Sequence, residues 1–87
     1  MTADPGVAGQ LRRILADITA DDRPLTAAAD TPLLREGIGL DSLGGTVLLT
    51  EVQRRFGVDV AGEDLNLDSL ATIGTLAAYI AARLPAT

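Results

Sequence analysis

The stretch Gly39-Leu40-Asp41-Ser42-Leu43 marks the point at which a loop gives way to the best-defined helix of the chain. No proline interrupts the run that follows as far as Phe56, and its apolar residues recur at the spacing of one buried helix face: Leu48, Leu49, Val52 and Phe56. Asp41 is a candidate N-cap, and Gly57 is placed to end the helix in the left-handed conformation. The sequence therefore predicts a helix from about Ser42 to Phe56, whose unpaired first N–H groups would favour an anion beside Ser42.

Two further helices are indicated, one on either side of this one. The first opens at Asp4-Pro5, a capping residue followed by proline at the first helical position, and should end near Thr19 or Ala20. The last begins after Thr72, a candidate cap, and runs to about Arg83. Each carries one apolar stripe: Val7, Leu11, Ile14, Leu15 and Ile18 in the first, and Ile73, Leu76, Ala77 and Ile80 in the last.

The segments between the helices are less regular. Residues 21–41 form a long connection punctuated by proline and glycine, in which 31–37 is predicted as a short helical turn ending at Gly37. Five apolar residues are expected to hold this loop to the core: Leu25, Leu33, Leu34, Ile38 and Leu40. Beyond the second helix, 58–60 is predicted as an extended connector. A short helix is expected from Glu63 to about Leu70, with three leucines turned inward: Leu65, Leu67 and Leu70.

Length and composition limit the classes of protein that remain. The 87 residues suffice for one domain, 1–87, with a folded core of about 5–84, and 47% of them are hydrophobic, as in folded globular chains. The net charge of −5 argues against a nucleic-acid partner, and no apolar run reaches the length of a membrane span. Because the N-terminus lacks the features of a secretory signal, we expect a cytoplasmic protein. We also expect it to be a monomer. Both ends lie only a few residues beyond the terminal helices, which is typical of a discrete, stand-alone protein, although an excised module would look the same.

The motif at 39–43, together with the order of elements around it, resembles the acyl and peptidyl carrier proteins over nearly the whole chain. This resemblance implies an all-α, four-helix bundle of three main helices and one short helix, with a long loop between helices 1 and 2. It further implies that Ser42, flanked by Asp41 and Leu43, bears a 4′-phosphopantetheine arm taken from coenzyme A. The thiol of that arm would hold acyl or aminoacyl cargo as a thioester, while the protein itself would catalyse nothing.

The same resemblance implies three kinds of partner enzyme. A phosphopantetheinyl transferase would attach the arm, an adenylating enzyme or an acyltransferase would load it, and downstream thioester-processing enzymes would act on the cargo. These partners are expected to meet the exposed side of the second helix, at Gly44, Thr46, Val47, Thr50, Glu51, Arg54 and Arg55.

The charge on that side of the helix bears on the pathway. In fatty-acid carriers it is strongly acidic, whereas here it is apolar and basic apart from Asp41 and Glu51. This departure favours a dedicated polyketide or nonribosomal peptide pathway over a general fatty-acid synthase. The two arginines either give specificity through charge or form a solvated face. The identity of the cargo, and whether it lies between the helices or in solvent, stays open.

The serine motif has other possible roles besides attachment of an arm. Asp-Ser-Leu recurs at Asp68-Ser69-Leu70, but there a turn or cap role explains the serine. A catalytic serine needs a general base, and the chain has no histidine, no lysine and no Gly-x-Ser-x-Gly motif. The alternative function is a small helical interaction module without a covalent cofactor, in which Asp41 and Ser42 merely cap the helix.

One segment of the sequence resembles part of a metal-binding loop. The spacing Asp64-Leu65-Asn66-Leu67-Asp68 imitates the opening of a calcium-binding EF-hand loop, but Ser69 and Thr75 stand where that loop needs a glycine and a glutamate. A metal site is therefore not predicted.

Gly44 and Gly45 each cost roughly 1 kcal/mol of helix stability relative to alanine. Either they occupy exposed, tolerant positions, or they let a partner or the arm approach closely.

Overall fold

The computed structural model describes residues 6–34, 37–64 and 68–84. Four α-helices lie in these ranges: α1 Gly6–Thr19, α2 Ser42–Phe56, α3 Val60–Glu63 and α4 Ile73–Arg83. Two short 3₁₀ helices accompany them, at Arg23–Thr26 and Asp68–Leu70. The described residues contain two isolated β-bridges and no strand. The predicted all-α fold, with three main helices, one short helix and a long first loop, is confirmed.

The core is built from aliphatic side chains contributed by every helix. α1 packs against both α2 and α4, and α3 lies against α2. Thirteen apolar residues are buried: Leu11, Ile14, Leu15, Leu33, Leu40, Leu48, Val52, Val58, Val60, Leu70, Ile73, Leu76 and Ile80. Because the chain has only one phenylalanine and one tyrosine, burial of leucine, isoleucine and valine supplies most of the hydrophobic stabilisation. No helix within the described ranges is both long enough and apolar enough to cross a membrane.

The predicted limits of α2 and α4 are confirmed. α2 begins at Ser42, ends at Phe56, and is followed by Gly57 with a φ of 72°, the left-handed stop that the sequence indicated. α4 begins after Thr72, whose side chain accepts a hydrogen bond from the Thr75 N–H at 3.0 Å. The Thr75 hydroxyl in turn accepts from the Thr72 N–H at 2.9 Å, which completes a capping box.

α1 ends at Thr19, as predicted, and Ala20 follows in the left-handed region with a φ of 55°. The proposed opening of α1 at Asp4-Pro5 lies outside the described residues.

The first loop differs from its prediction. The expected helical turn at 31–37 is wrong, because Pro32 forms a bridge with Thr72 and Leu34 forms one with Leu40; residues 35 and 36 lie outside the described ranges. The helical turn of this loop comes earlier, at Arg23–Thr26, where a proline occupies the first turn.

The apolar anchors of this loop are only partly as expected. Leu33 and Leu40 are buried and Ile38 is half-buried, so these three hold the loop to the core. Leu25 and Leu34, in contrast, are 44% and 42% exposed, which corrects the prediction for both.

The short third helix also lies elsewhere than predicted. It spans Val60–Glu63, because the Asp59 carboxylate accepts a hydrogen bond from the Gly62 N–H at 3.0 Å and so caps this turn. Val60 therefore belongs to a helix and not to an extended connector. The end of the predicted helix is the separate 3₁₀ turn Asp68–Leu70, while Leu65 and Leu67 lie outside the described residues.

We predict that Thr72→Ala lowers the free energy of unfolding by about 1 kcal/mol, because it removes the side-chain acceptor of the α4 capping box. For a domain of this size, the melting temperature should fall by about 4–8 °C in a circular-dichroism melt. Thr72→Ser should keep most of the stability. Thr50→Ala is the matched control, since the Thr50 hydroxyl bonds only to a carbonyl of its own helix. Equal losses for Thr72→Ala and Thr50→Ala would contradict the capping role.

Candidate functional site

Ser42 is the first residue of α2, and it is exposed. The Asp41 carboxylate accepts a hydrogen bond from the Gly44 N–H at 2.7 Å, and the Asp41 carbonyl accepts from the Gly45 N–H at 2.8 Å. Asp41 is thus the N-cap that the sequence predicted. Within the described part of the chain, the N–H groups of Ser42 and Leu43 have no hydrogen-bond partner. They leave two donors at the positive end of the helix dipole, beside the serine.

The residues just before Ser42 fix its direction. Leu40 is buried, and its N–H donates to the Leu33 carbonyl at 3.1 Å, which ties the end of the loop to the bundle. Gly39 precedes it with a φ of 84°, a conformation that favours glycine. Since Leu40 is held inward, the chain turns outward at Asp41 and presents the Ser42 hydroxyl to solvent.

A groove of about 700 Å³ opens directly beside Ser42. Its walls come from the end of the first loop, the first two turns of α2 and the second 3₁₀ helix, and they consist of Leu34, Gly39, Leu40, Asp41, Ser42, Gly45, Thr46, Leu49 and Leu70. Two of these nine residues are glycines, and four of the seven side chains that line the groove are leucines. A flexible chain attached to the Ser42 oxygen would have an anion site at its base and an apolar surface next to it.

The second Asp-Ser-Leu triplet has a different environment. Ser69 is only 7% exposed, and its hydroxyl oxygen is shielded from solvent. Its N–H donates to an Asp64 carboxylate oxygen at 2.8 Å. The Ser69 side chain and then its backbone N–H lower the pKa of the Asp64 carboxyl. Ser69 therefore belongs to a folded turn, as the sequence interpretation held, and an enzyme could not reach its hydroxyl without opening that turn.

The calcium-like spacing at 64–68 does not bring metal ligands together within the described residues. Asp64 already directs its carboxylate to the Ser69 N–H. No group of three or more histidine, cysteine, aspartate or glutamate side chains comes together within residues 6–34, 37–64 and 68–84. The middle of the spacing, 65–67, lies outside those ranges.

The residues predicted to meet partners lie mostly on one exposed strip of α2. Leu43 is 72% exposed and Val47 is 39% exposed, and Thr46 and Thr50 are exposed near them. Both threonine hydroxyls donate to carbonyls of the preceding turn, at 2.9 and 3.0 Å. Because those donors are satisfied within the helix, the strip offers an approaching protein mainly apolar contact.

The charges on the same helix are internally paired. Glu51, the single acidic residue of α2, accepts from Arg54 Nη1 at 2.8 Å and lies 3.7 Å from Arg55 Nε. Glu51 is the least exposed of the three side chains, at 26% against 70% for Arg54 and 42% for Arg55. The outward charge of this helix is therefore carried by arginine.

The two glycines after the serine are not simply exposed. Gly44 is half-buried, and a Cβ added to it would lie 3.1 Å from Leu40 Cδ2 and 3.3 Å from an Asp41 carboxylate oxygen. Gly44 therefore lies closely against the cap and is turned away from the exposed strip. Gly45 is buried, but an added Cβ would meet no heavy atom within 4 Å. The sequence does not predict the groove beside Gly45, and its one signal there is a glycine three residues after the serine.

The site is thus an exposed serine hydroxyl at a capped helix N-terminus in a small helical bundle. A family model described as a phosphopantetheine attachment site matches residues 9–80, most of the 87-residue chain. The chain belongs to this family, as the resemblance implied. A search of curated proteins gave no match.

Membership of the family establishes the cofactor and the general role. The family binds 4′-phosphopantetheine covalently, and this chain is a carrier protein that holds thioesters on it. Carrier domains of this kind are generally non-catalytic, are modified by phosphopantetheinyl transferases, and interact with partner enzymes. When bound, the group supplies a thiol for thioester formation. The residues around Ser42 fit such a group, since they combine two free N–H donors for a phosphate with an apolar groove.

We predict that Asp41→Ala lowers the free energy of unfolding by about 1 kcal/mol, because the Gly44 N–H loses its acceptor. Amide hydrogen exchange at Gly44, followed by NMR, should accelerate together with the exchange of the first turn of α2. Asp41→Asn is the control, since its side-chain oxygen can still accept. If Asn is as damaging as Ala, then the charge of the carboxylate matters here and the hydrogen bond does not.

Proposed function

We propose that Ser42 is the attachment point of the phosphopantetheine arm, and that the protein carries acyl or aminoacyl intermediates in a dedicated polyketide or nonribosomal peptide pathway. The observation that carries this proposal is the exposure of the Ser42 hydroxyl at the N-terminus of α2, against the burial of Ser69. A transferase must bring this hydroxyl into its own active site. In the folded protein, only the first of the two serines is presented for that.

The attachment reaction follows from the chemistry of coenzyme A. The Ser42 oxygen attacks the phosphorus that bears pantetheine, the P–O bond to the 3′,5′-ADP portion breaks, and 3′,5′-ADP leaves. The hydroxyl proton passes to a base of the transferase, because this chain has neither histidine nor lysine. Asp41 caps the start of the helix, and the N–H groups of Ser42 and Leu43, which have no partner among the described residues, favour the resulting phosphodiester. The coenzyme A donor is consistent with a protein that acts in the cytoplasm.

The assignment to a dedicated pathway rests on the surface of α2. Partners would meet the apolar strip around Leu43 and Val47, with Arg54 and Arg55 at its far end. An enzyme with a basic docking patch, of the kind that reads acidic carriers, would find only Glu51 on this helix, and that carboxylate already has two arginine neighbours. A partner with apolar side chains and complementary acidic residues fits this surface better. An adenylating enzyme or an acyltransferase would load such a carrier.

The attachment site can be tested by intact-mass spectrometry. Incubation of the apo protein with coenzyme A and a broad-specificity phosphopantetheinyl transferase should add one phosphopantetheine to the wild type. We expect Ser42→Ala to abolish this addition and Ser69→Ala to leave it unchanged. Circular dichroism of each variant checks that the fold is kept. Modification that survives in Ser42→Ala, or is lost in Ser69→Ala, would overturn the assignment, and an unmodified wild type would favour a helical interaction module.

The docking strip can be tested with the same transferase. Leu43→Ala should lower kcat/KM for modification about tenfold, because a highly exposed leucine that becomes buried at the centre of an interface contributes more than about 1 kcal/mol. Leu25→Ala is the matched control, since Leu25 is also an exposed leucine but lies in the first loop. Equal effects of the two substitutions would argue against docking on α2.

A further inference from the structure

Gly45 occupies a buried position with empty space where its side chain would be. It lies three residues after Ser42 on α2 and lines the groove that opens beside that serine. Although its backbone is buried, an added Cβ would have no heavy atom within 4 Å. The space next to it is therefore part of the groove and is not filled by packing of the described residues.

At three other helical glycines, contacts of an added Cβ with neighbouring atoms explain why the residue is glycine. Gly45 has no such contact. A Cβ at Gly44 would press on Leu40 Cδ2 at 3.1 Å, and one at Gly74 would lie 3.1 Å from the Ala29 carbonyl oxygen. At Gly62 the added atom would overlap the Asp59 carboxylate. Nor does Gly45 have a positive φ, since the positive-φ glycines of the described chain are at positions 6, 39 and 57. Alanine would fit at position 45 and would favour the helix, so neither the backbone nor packing calls for glycine there.

Resting on the proposed attachment at Ser42, we infer that Gly45 is a positioning residue for the arm. Its bare backbone forms the floor of the groove on which the pantoyl end of phosphopantetheine lies. Residues three apart on a helix are neighbours, with about 5–6 Å between their side-chain origins. The part of the arm that falls within this distance of the Ser42 oxygen is the phosphate and the pantoyl unit next to it.

The chemistry of the groove matches that part of the arm. The pantoyl unit carries two methyl groups on one carbon, and the groove offers them apolar walls that include Leu40, Leu49 and Leu70. The phosphate stays at the mouth, where the N–H groups of Ser42 and Leu43 are free. A side chain larger than hydrogen at position 45 would occupy the space between these walls. The arm would then be displaced towards solvent while remaining attached.

The test compares apo and holo protein by NMR in the wild type, Gly45→Ala, Gly45→Val and Gln53→Val. In the wild type, modification should shift the methyl resonances of Leu40, Leu49 and Leu70 and give nuclear Overhauser contacts from them to the pantoyl methyls. Gly45→Val should reduce these shifts and contacts at least twofold, with full modification by intact mass. Gln53→Val places the same side chain at an exposed position of α2 outside the groove, and should leave the wild-type pattern intact.

Each outcome decides for or against the inference. Leucine methyls that do not respond to modification in the wild type, or that respond equally in Gly45→Val, would overturn it. Gly45→Ala supplies the second variant, because the apo protein should gain about 4 °C in melting temperature. If Gly45→Val does not fold, undiminished contacts in Gly45→Ala overturn the inference and reduced contacts support it. A wild type that gains no mass contradicts attachment at Ser42 itself, so the two failures are distinguishable.

Discussion

The hydrogen bond from the Gly44 N–H to the Asp41 carboxylate, together with the buried Leu40 before it, is the constraint on which the site depends. Leu40 holds the end of the loop against the bundle, and the cap begins the helix one residue later. Between these two fixed points the chain directs Ser42 towards solvent. The exposed serine, its two free neighbouring N–H groups and the groove beside it therefore have a common origin in one loop-to-helix junction.

The two Asp-Ser-Leu triplets differ in secondary structure and solvent exposure because their neighbouring contacts differ. At 41–43 the aspartate caps a helix of fifteen residues, and the serine and leucine that follow remain outside the core. At 68–70 the triplet forms a 3₁₀ turn, in which Leu70 enters the core and the Asp64 carboxylate binds the Ser69 N–H. The sequence interpretation separated the triplets by the helix that follows each. The structure adds solvent exposure as an independent physical difference between them.

The parts of the fold that local signals define were predictable from the sequence. Asp41, Gly57 and Thr72 mark helix ends through hydrogen bonds or backbone conformations within a few residues, so the limits of α2 and α4 followed directly. The first loop was not predictable in the same way. Its extended part is paired with α4 through backbone bonds such as Ile73 N–H to the Thr31 carbonyl, and no periodic pattern reports a contact between segments so far apart.

The candidate site, too, was predictable only where its features lie within one continuous segment. Ser42, its cap and the exposed strip of α2 belong to one continuous segment, and helical periodicity sufficed to place them on a surface. The pairing of Glu51 with both arginines agrees with their spacing along that helix, although the choice between a specificity role and a solvated face did not follow from it. The groove unites the loop, α2 and the second 3₁₀ helix, so it exists only in the folded protein.

The groove also has an energetic consequence for a protein of this size. A domain of 87 residues has a small core and little stability to spare, so a glycine inside its second helix is a measurable cost. Alanine at position 45 would favour the helix by roughly 1 kcal/mol, and its Cβ would meet no heavy atom within 4 Å. If the arm is attached at Ser42 as proposed, glycine at position 45 would exchange some helix stability for open space beside the serine. Under the proposed function, the exposed serine would give the groove an occupant, and the groove would give the attached chain a defined direction.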